Sequence, residues 1–277
     1  MRIEDIVFVY HLEDEGLMSW HGRLHRHSPG KFEFHYSISG EGSFRCGPIR
    51  YSLNPGDLFL IKPEEDHQLI PAGKRRPVTY YAVLFDTEGE EELESILEAN
   101  TANPRHIGLS HRFFFADILE KNISGKDRLV TAARYQFTAF IYSLDYGLPS
   151  GSSSADNVHV EKALAIMHGS IEKAFDLSAI SSRLGIGREH FVRLFSERMG
   201  MPPMKYYIRL KIEAARSMLA STNIRIGEIS DKLGFNTQFN FSRTFRREAG
   251  LSPTEFRTRC LAKGHNDLGN HAGSVQG

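Results

Sequence analysis

Three textures of apolar and polar positions follow one another along the chain. From about Trp20 to Asp86, short aromatic and β-branched runs (FEFHYSIS, SFRCG, LFLIKP, VTYYAVLF) alternate with Gly/Pro punctuation such as GEG and NPGD. Many short strands with turns between them predict an all-β barrel or sandwich. Gly40-Glu41-Gly42 and Gly56 fit hairpin turns within it. From about Glu88 to Tyr146 the period lengthens, and Leu129, Ala133, Phe137, Phe140 and Leu144 recur at spacings of three and four. That recurrence predicts a helix with one apolar stripe. The stripe needs cover, either inside its own domain or against a second chain as a dimerisation seam. Residues 148–157, LPSGSSSADN, have the composition of a flexible linker. They separate a first domain, 1–147, from a second, 158–259, and the polar residues 260–277 are expected to form a disordered tail.

The second domain contains an internal repeat. Phe191-Val192-Arg193-Leu194-Phe195 superposes on Phe241-Ser242-Arg243-Thr244-Phe245 at an offset of 50 residues, which also places Gly200 on Gly250 and Pro203 on Pro253. Each copy reads as a short helix, a turn at Gly185 or Gly234, and a second amphipathic helix, which is a helix-turn-helix unit. Between the copies, Pro203 to Ala220 predicts a helix of about 18 residues, roughly 27 Å long. One turn of B-DNA is about 34 Å, so two readers joined in this way can enter successive major-groove segments. On the second helices Phe191, Leu194 and Phe195, or Phe241, Thr244 and Phe245, face inward. Arg188, Glu189 and Arg193 face outward in the first copy, as do Thr237, Gln238, Ser242 and Arg243 in the second. Arg pairs with guanine, Gln with adenine, and Glu accepts from cytosine, so these are base-edge partners on an exposed helix face. Taken singly, each is also compatible with a surface residue or a phosphate clamp. Phe239 falls on the polar side, where it either meets a thymine methyl or packs on a neighbouring helix.

Composition adds an asymmetry. The chain has 277 residues, 34 Lys plus Arg and 34 Asp plus Glu, ordinary for about two globular domains. Residues 1–157 hold 16 basic against 23 acidic side chains, whereas 158–259 hold 17 against 10. A basic module beside an acidic one suits a polyanion-binding unit, although a solvated face gives the same count. Charges, Gly or Pro interrupt every apolar stretch well before the about 18 residues that a membrane helix needs. The amino terminus lacks the pattern of a secretory signal. Two cysteines, Cys46 and Cys260, make neither a disulfide framework nor a metal knuckle, so a reducing cytoplasm is the expected compartment.

Residues 160–259 resemble the DNA-binding module of the AraC/XylS family of transcription regulators. The second copy carries the pattern most fully, in IGEISDKLGFNTQFNFSRTFRREAGLSPTEFR. Asn240 stands where the family usually has an aromatic, Ser230 where it has Ala, and Gly187 where a Ser or Thr cap opens the first reading helix. The amino-terminal half resembles the cupin-type effector-binding domain that often precedes this module. His25-Arg26-His27, Glu33, Gly40-Glu41-Gly42, Pro55-Gly56-Asp57, Pro63 and His67 carry that likeness.

The resemblance implies an α+β protein of two domains: a cupin-like β-barrel with a helical dimerisation segment, then an all-α domain with two helix-turn-helix units. It implies a cytoplasmic homodimer that binds double-stranded DNA, contacts RNA polymerase as an activator and answers to a small-molecule effector, a sugar or sugar derivative among the candidates. In metal-binding cupins the residues matching His25, His27, Glu33 and His67 hold a divalent metal. The same side chains, with His35, can instead hydrogen-bond an organic effector stacked on Trp20, Tyr80 or Tyr81. A three-His, one-carboxylate set suits zinc, nickel, manganese or iron. No nucleophile-base-orienter set or phosphate-binding Gly-rich loop is visible, so no catalytic residues are expected. The alternative, a metal-dependent cupin enzyme fused to a DNA-binding module, rests on that metal alone.

Overall fold

The structure, a computed structural model, describes residues 1–13, 24–99, 103–145 and 155–260. Trp20, most of the expected linker (148–154) and the expected tail beyond Cys260 lie outside the described residues. The chain divides into two compact units, Met1–Gly169 and Ser170–Gly277.

In the first unit the strands are β1 (Arg2–Leu12), β2 (Lys31–Ser39), β3 (Gly42–Cys46), β4 (Ile49–Ser52), β5 (Asp57–Ile61), β6 (His67–Pro71), β7 (Val78–Asp86) and the short β8 (Arg105–His106). They form a five-stranded sheet, β1-β7-β2-β5-β8, and a three-stranded sheet, β4-β3-β6. Every registered strand pair is antiparallel. Val9, Phe44, Phe59, Ile61, Leu69, Val78 and Tyr80, drawn from both sheets, share one buried core. The opposite face of the larger sheet is also covered. Phe34 and Phe85 meet Phe137 edge-on at 5.8 and 5.1 Å between ring centres, and Tyr36 stacks on Phe115 at 4.6 Å. A strand buried on both faces cannot show polar/apolar alternation, which is why β2 reads as a nearly continuous aromatic run.

Gly40-Glu41 and Gly56 are not hairpin turns. Each lies where the chain leaves one sheet for the other, between β2 and β3 and between β4 and β5. A glycine signals a sharp bend, but which strands pair across it is settled by burial. Gly40 has φ +99°, and a Cβ there would lie 2.3 Å from the Pro77 carbonyl oxygen, so only glycine lets the corner close.

The helices of this unit are α1 (Glu91–Ala99), α2 (Arg112–Ile123), α3 (Asp127–Asp145) and α4 (Ala155–His168). Along α3, Ala133, Phe137, Phe140, Ile141 and Leu144 are buried while Leu129, Val130 and Tyr135 are exposed. Most of the predicted stripe is therefore covered within its own domain. Helix α4, expected to open the second domain, groups with the first unit. Glu161 Oε2 accepts from the Leu109 backbone N–H at 2.8 Å, and Arg112 Nη1 donates to His168 Nδ1 at 2.7 Å.

The second unit contains α5 (Leu177–Leu184), α6 (Arg188–Met199), α7 (Pro203–Ser221), α8 (Ile226–Lys232) and α9 (Gln238–Ala249), and residues 253–260 are helical. The predicted repeat and its connecting helix are present. Asp176 caps α5 by accepting from Ala179 N, and Thr237 caps α9 by accepting from Asn240 N. Gly187 opens α6 with no side-chain cap. Gly234 turns the second copy at φ +60° with its Cα beside the Glu172 carbonyl, where a Cβ would sit at 2.2 Å. Buried Lys211 on α7 ties the two halves together, donating to the Lys173 and Leu233 carbonyls at 2.7 and 2.6 Å. Burial lowers its pKa to about 8.

Candidate functional site

Strand β2 carries Glu33 and His35 on its barrel face, and β6 begins with His67. The loop before β2 brings in His25 and His27. His25 is held by a two-way backbone bridge to His67, with N–H to carbonyl distances of 3.1 and 2.9 Å. Ligand atoms of His25, His27, Glu33 and His67 all lie within 4.8 Å of one another. Glu33 is the centre: its Oε2 lies 3.1 Å from His27 Nε2, 3.1 Å from His35 Nε2 and 2.9 Å from His67 Nε2. The carboxylate is 1% exposed. Burial by itself would raise its pKa, but the His35 charge and the hydrogen bonds of His27, His35 and His67 outweigh that and hold it well below the usual carboxylate range.

The donors fit a cation. His67 Nδ1 lies 3.0 Å from the Glu65 carbonyl oxygen, which can only accept, so Nδ1 bears the proton. Nε2 is then the ring atom that faces Glu33. That Nε2 is buried and has no aligned hydrogen-bond partner despite the 2.9 Å approach to Oε2. Either a proton or a metal ion between Nε2 and Oε2 accounts for that approach, and an outer-shell bond to the second ring nitrogen is the usual way a metal-binding imidazole is oriented.

His35 joins this cluster, stacked on Tyr80 at 5.3 Å. Tyr81 does not. It points through the other face of the sheet, 4.7 Å from Phe8 and 5.9 Å from Phe115. Adjacent strand residues face opposite sides, and the β2–β7 register, with Ser37 opposite Tyr80 and Tyr36 opposite Tyr81, assigns Tyr80 to the interior. The sequence named both tyrosines but had no register with which to choose.

In the second unit Arg188, Glu189 and Arg193 on α6 are exposed, as are Gln238 and Arg243 on α9, with Ser242 half-buried. Thr237 is exposed too, but its hydroxyl already caps the helix. The Gln238 amide folds over α8: a Cβ on Gly227 would meet its Oε1 at 2.9 Å. Phe191, Leu194, Phe195, Phe241 and Phe245 are buried, as the repeat predicts, whereas Thr244 of the expected inward set is only half-buried, like Ser242 of the outward set.

A β domain with a buried polar cluster, followed by two helix-turn-helix units, has the layout of a DNA-binding transcription regulator. Residues 13–129 match the AraC-like ligand binding domain and residues 180–259 a helix-turn-helix domain. The chain belongs to the AraC family of transcription regulators. It is 26% identical over 249 residues to the MmsAB operon regulatory protein of Pseudomonas aeruginosa, covering 86% of this chain and 79% of that protein. It is 24% identical over 241 residues to the lactose operon transcription activator of Staphylococcus xylosus, covering 82% and 84%. Among solved structures, an AraC-type DNA-binding domain-containing regulator from Chromobacterium violaceum is 29% identical, covering 39% of this chain and 96% of that one with a TM-score of 0.37. The matched domains and named relatives are transcription regulators, not enzymes. No helix among the described residues is long and apolar enough to cross a membrane.

Proposed function

We propose that this protein is a sequence-specific activator of transcription whose DNA affinity is set by a ligand at the His25, His27, Glu33 and His67 cluster. The observation that carries the reading is the buried Glu33 carboxylate facing imidazole nitrogens at 2.9 to 3.1 Å. A divalent ion of the zinc, nickel, manganese or iron type suits three imidazoles and one carboxylate. Such an ion would supply positive charge that attracts oxygen atoms of an organic effector. His25, His27, Glu33 and His67 would hold it, while His35 and Tyr80 shape the wall beside it. Arg188, Glu189 and Arg193 on α6 and Thr237, Gln238, Ser242 and Arg243 on α9 form the DNA surface. Thr237 acts there through its cap. Two copies of the chain, with four reading helices, engage a promoter and contact RNA polymerase. A relative named for activating a lactose operon supports both activation and a sugar-related effector. The ligand shifts DNA binding by no more than its difference in affinity for the two arrangements it selects between.

The test is metal uptake by the chelator-treated full chain, measured by equilibrium dialysis with zinc, nickel, manganese and iron(II) and followed by DNA titration. The expected result is one equivalent of one ion per chain, altered DNA affinity on loading, and loss of both in Glu33→Gln. No uptake, together with a thermal shift produced by a sugar or sugar acid alone, would replace the ion with a purely organic ligand.

A further inference from the structure

Phe239 is the outlier of the second reading helix. Its ring is 73% exposed, whereas Phe241 and Phe245 on the same helix are fully buried. Two residues along an α-helix turn the direction by about 200°, so Phe239 points almost directly away from the packed face. Thr237 is the N-cap, which makes Phe239 the second residue of α9. The N-terminal residues of a recognition helix are the ones that reach base edges. Arg243 follows four residues later on the same exposed stripe. The internal repeat supplies a second line of argument: the offset of 50 residues places Phe239 on Glu189, an exposed polar residue at the same position of α6. One position of the repeated unit therefore carries a polar side chain in one copy and an uncovered aromatic ring in the other.

Resting on the DNA-binding reading, we propose that Phe239 is a base-reading residue that packs on the C5-methyl group of a thymine in the major groove. That methyl is the one apolar group exposed on a base edge there, and phenylalanine is among the side chains that contact it. Glu189 in the first copy, able to accept from a cytosine amino group, makes the two helices read different chemistry from equivalent positions. The two major-groove segments read by one chain are consequently unlike each other at this position.

Full-length protein is used to select its preferred duplex from a random pool, and each thymine of that duplex is then replaced singly by deoxyuridine, which removes only the C5-methyl. At one thymine the wild-type chain is expected to lose about fourfold in affinity, the value of one buried methyl-sized group. Phe239→Ala is expected to bind the thymine and uridine duplexes equally, and Phe239→Leu to keep part of the discrimination. Because the ring is exposed, the alanine variant leaves the packed core intact, and Arg243→Ala should still sense the methyl. Selection of a defined sequence with the same uridine response in wild type and Phe239→Ala would overturn the Phe239 assignment alone. Failure to select any sequence would overturn the DNA-binding reading with it.

Discussion

A carboxylate such as Glu33 is expensive to bury, and a chain keeps one in a barrel only where several partners hold it ionised. Here three imidazoles do so, and His27, Glu33 and His67 are residues that the cupin resemblance had already singled out. Strand alternation already placed His35 on the same face as Glu33, but it could not tell that Tyr80 rather than Tyr81 would face inward, because that depends on the β2–β7 register. Arg243 is the corresponding residue of the proposed DNA surface. It is exposed on α9 and equivalent to Arg193 in the repeat. Arg243→Ala is expected to cost about 1 to 3 kcal/mol on the preferred site and to relax selectivity at a single base pair. Titrations against a panel of single-base variants check this. A uniform loss on all sequences would make Arg243 a phosphate contact instead.

Among the elements, the reading helices differ at their starts. Thr237 caps α9, but Gly187 offers α6 no side chain, although its φ of −66° and ψ of +149° are those of an ordinary N-cap. A Cβ at Gly187 would meet nothing within 4 Å. Gly187→Ser is therefore expected to stabilise the second unit by about 0.5 to 1 kcal/mol, through the added cap and a less flexible unfolded chain. Thermal unfolding with and without the substitution measures it, and an unchanged or lowered midpoint would contradict the cap argument. The helix-turn-helix elements were legible because helical periodicity and Gly turns are local signals. The sheet was legible only as strands. Corners at Gly40 and Gly56 look like hairpins until the pairing partners are known.

Across the first unit, α4 is held to α2 by the Arg112–His168 contact. His168 is buried, and burial followed by the neighbouring Arg112 charge pushes its pKa well below the usual histidine value. In the unfolded chain the same imidazole takes up a proton near pH 6.5. Between the two values the unfolded state binds more protons, so this contribution is complete above about pH 6.5 and is lost as the pH falls toward the folded value. The unfolding midpoint of the first unit is expected to drop on acidification. His168→Gln, which keeps an acceptor for Arg112 but cannot titrate, should flatten that part of the profile. An identical acid response in the variant would place the sensitive group elsewhere.

The amino-acid sequence by itself determined the strand-rich half, the helical half, the 50-residue repeat, the concentration of positive charge on the repeat, and the His and Glu residues available to a ligand. All of these follow from side-chain chemistry and short-range periodicity. Tertiary structure alone decided which sheet each strand joins, which face of β7 looks into the barrel, that Phe137 and Phe140 of α3 pack on Phe34 and Phe85, and that α4 packs with the first unit. Those outcomes depend on pairings between residues far apart in sequence, where the free energy of burial selects among arrangements that local propensity leaves equal.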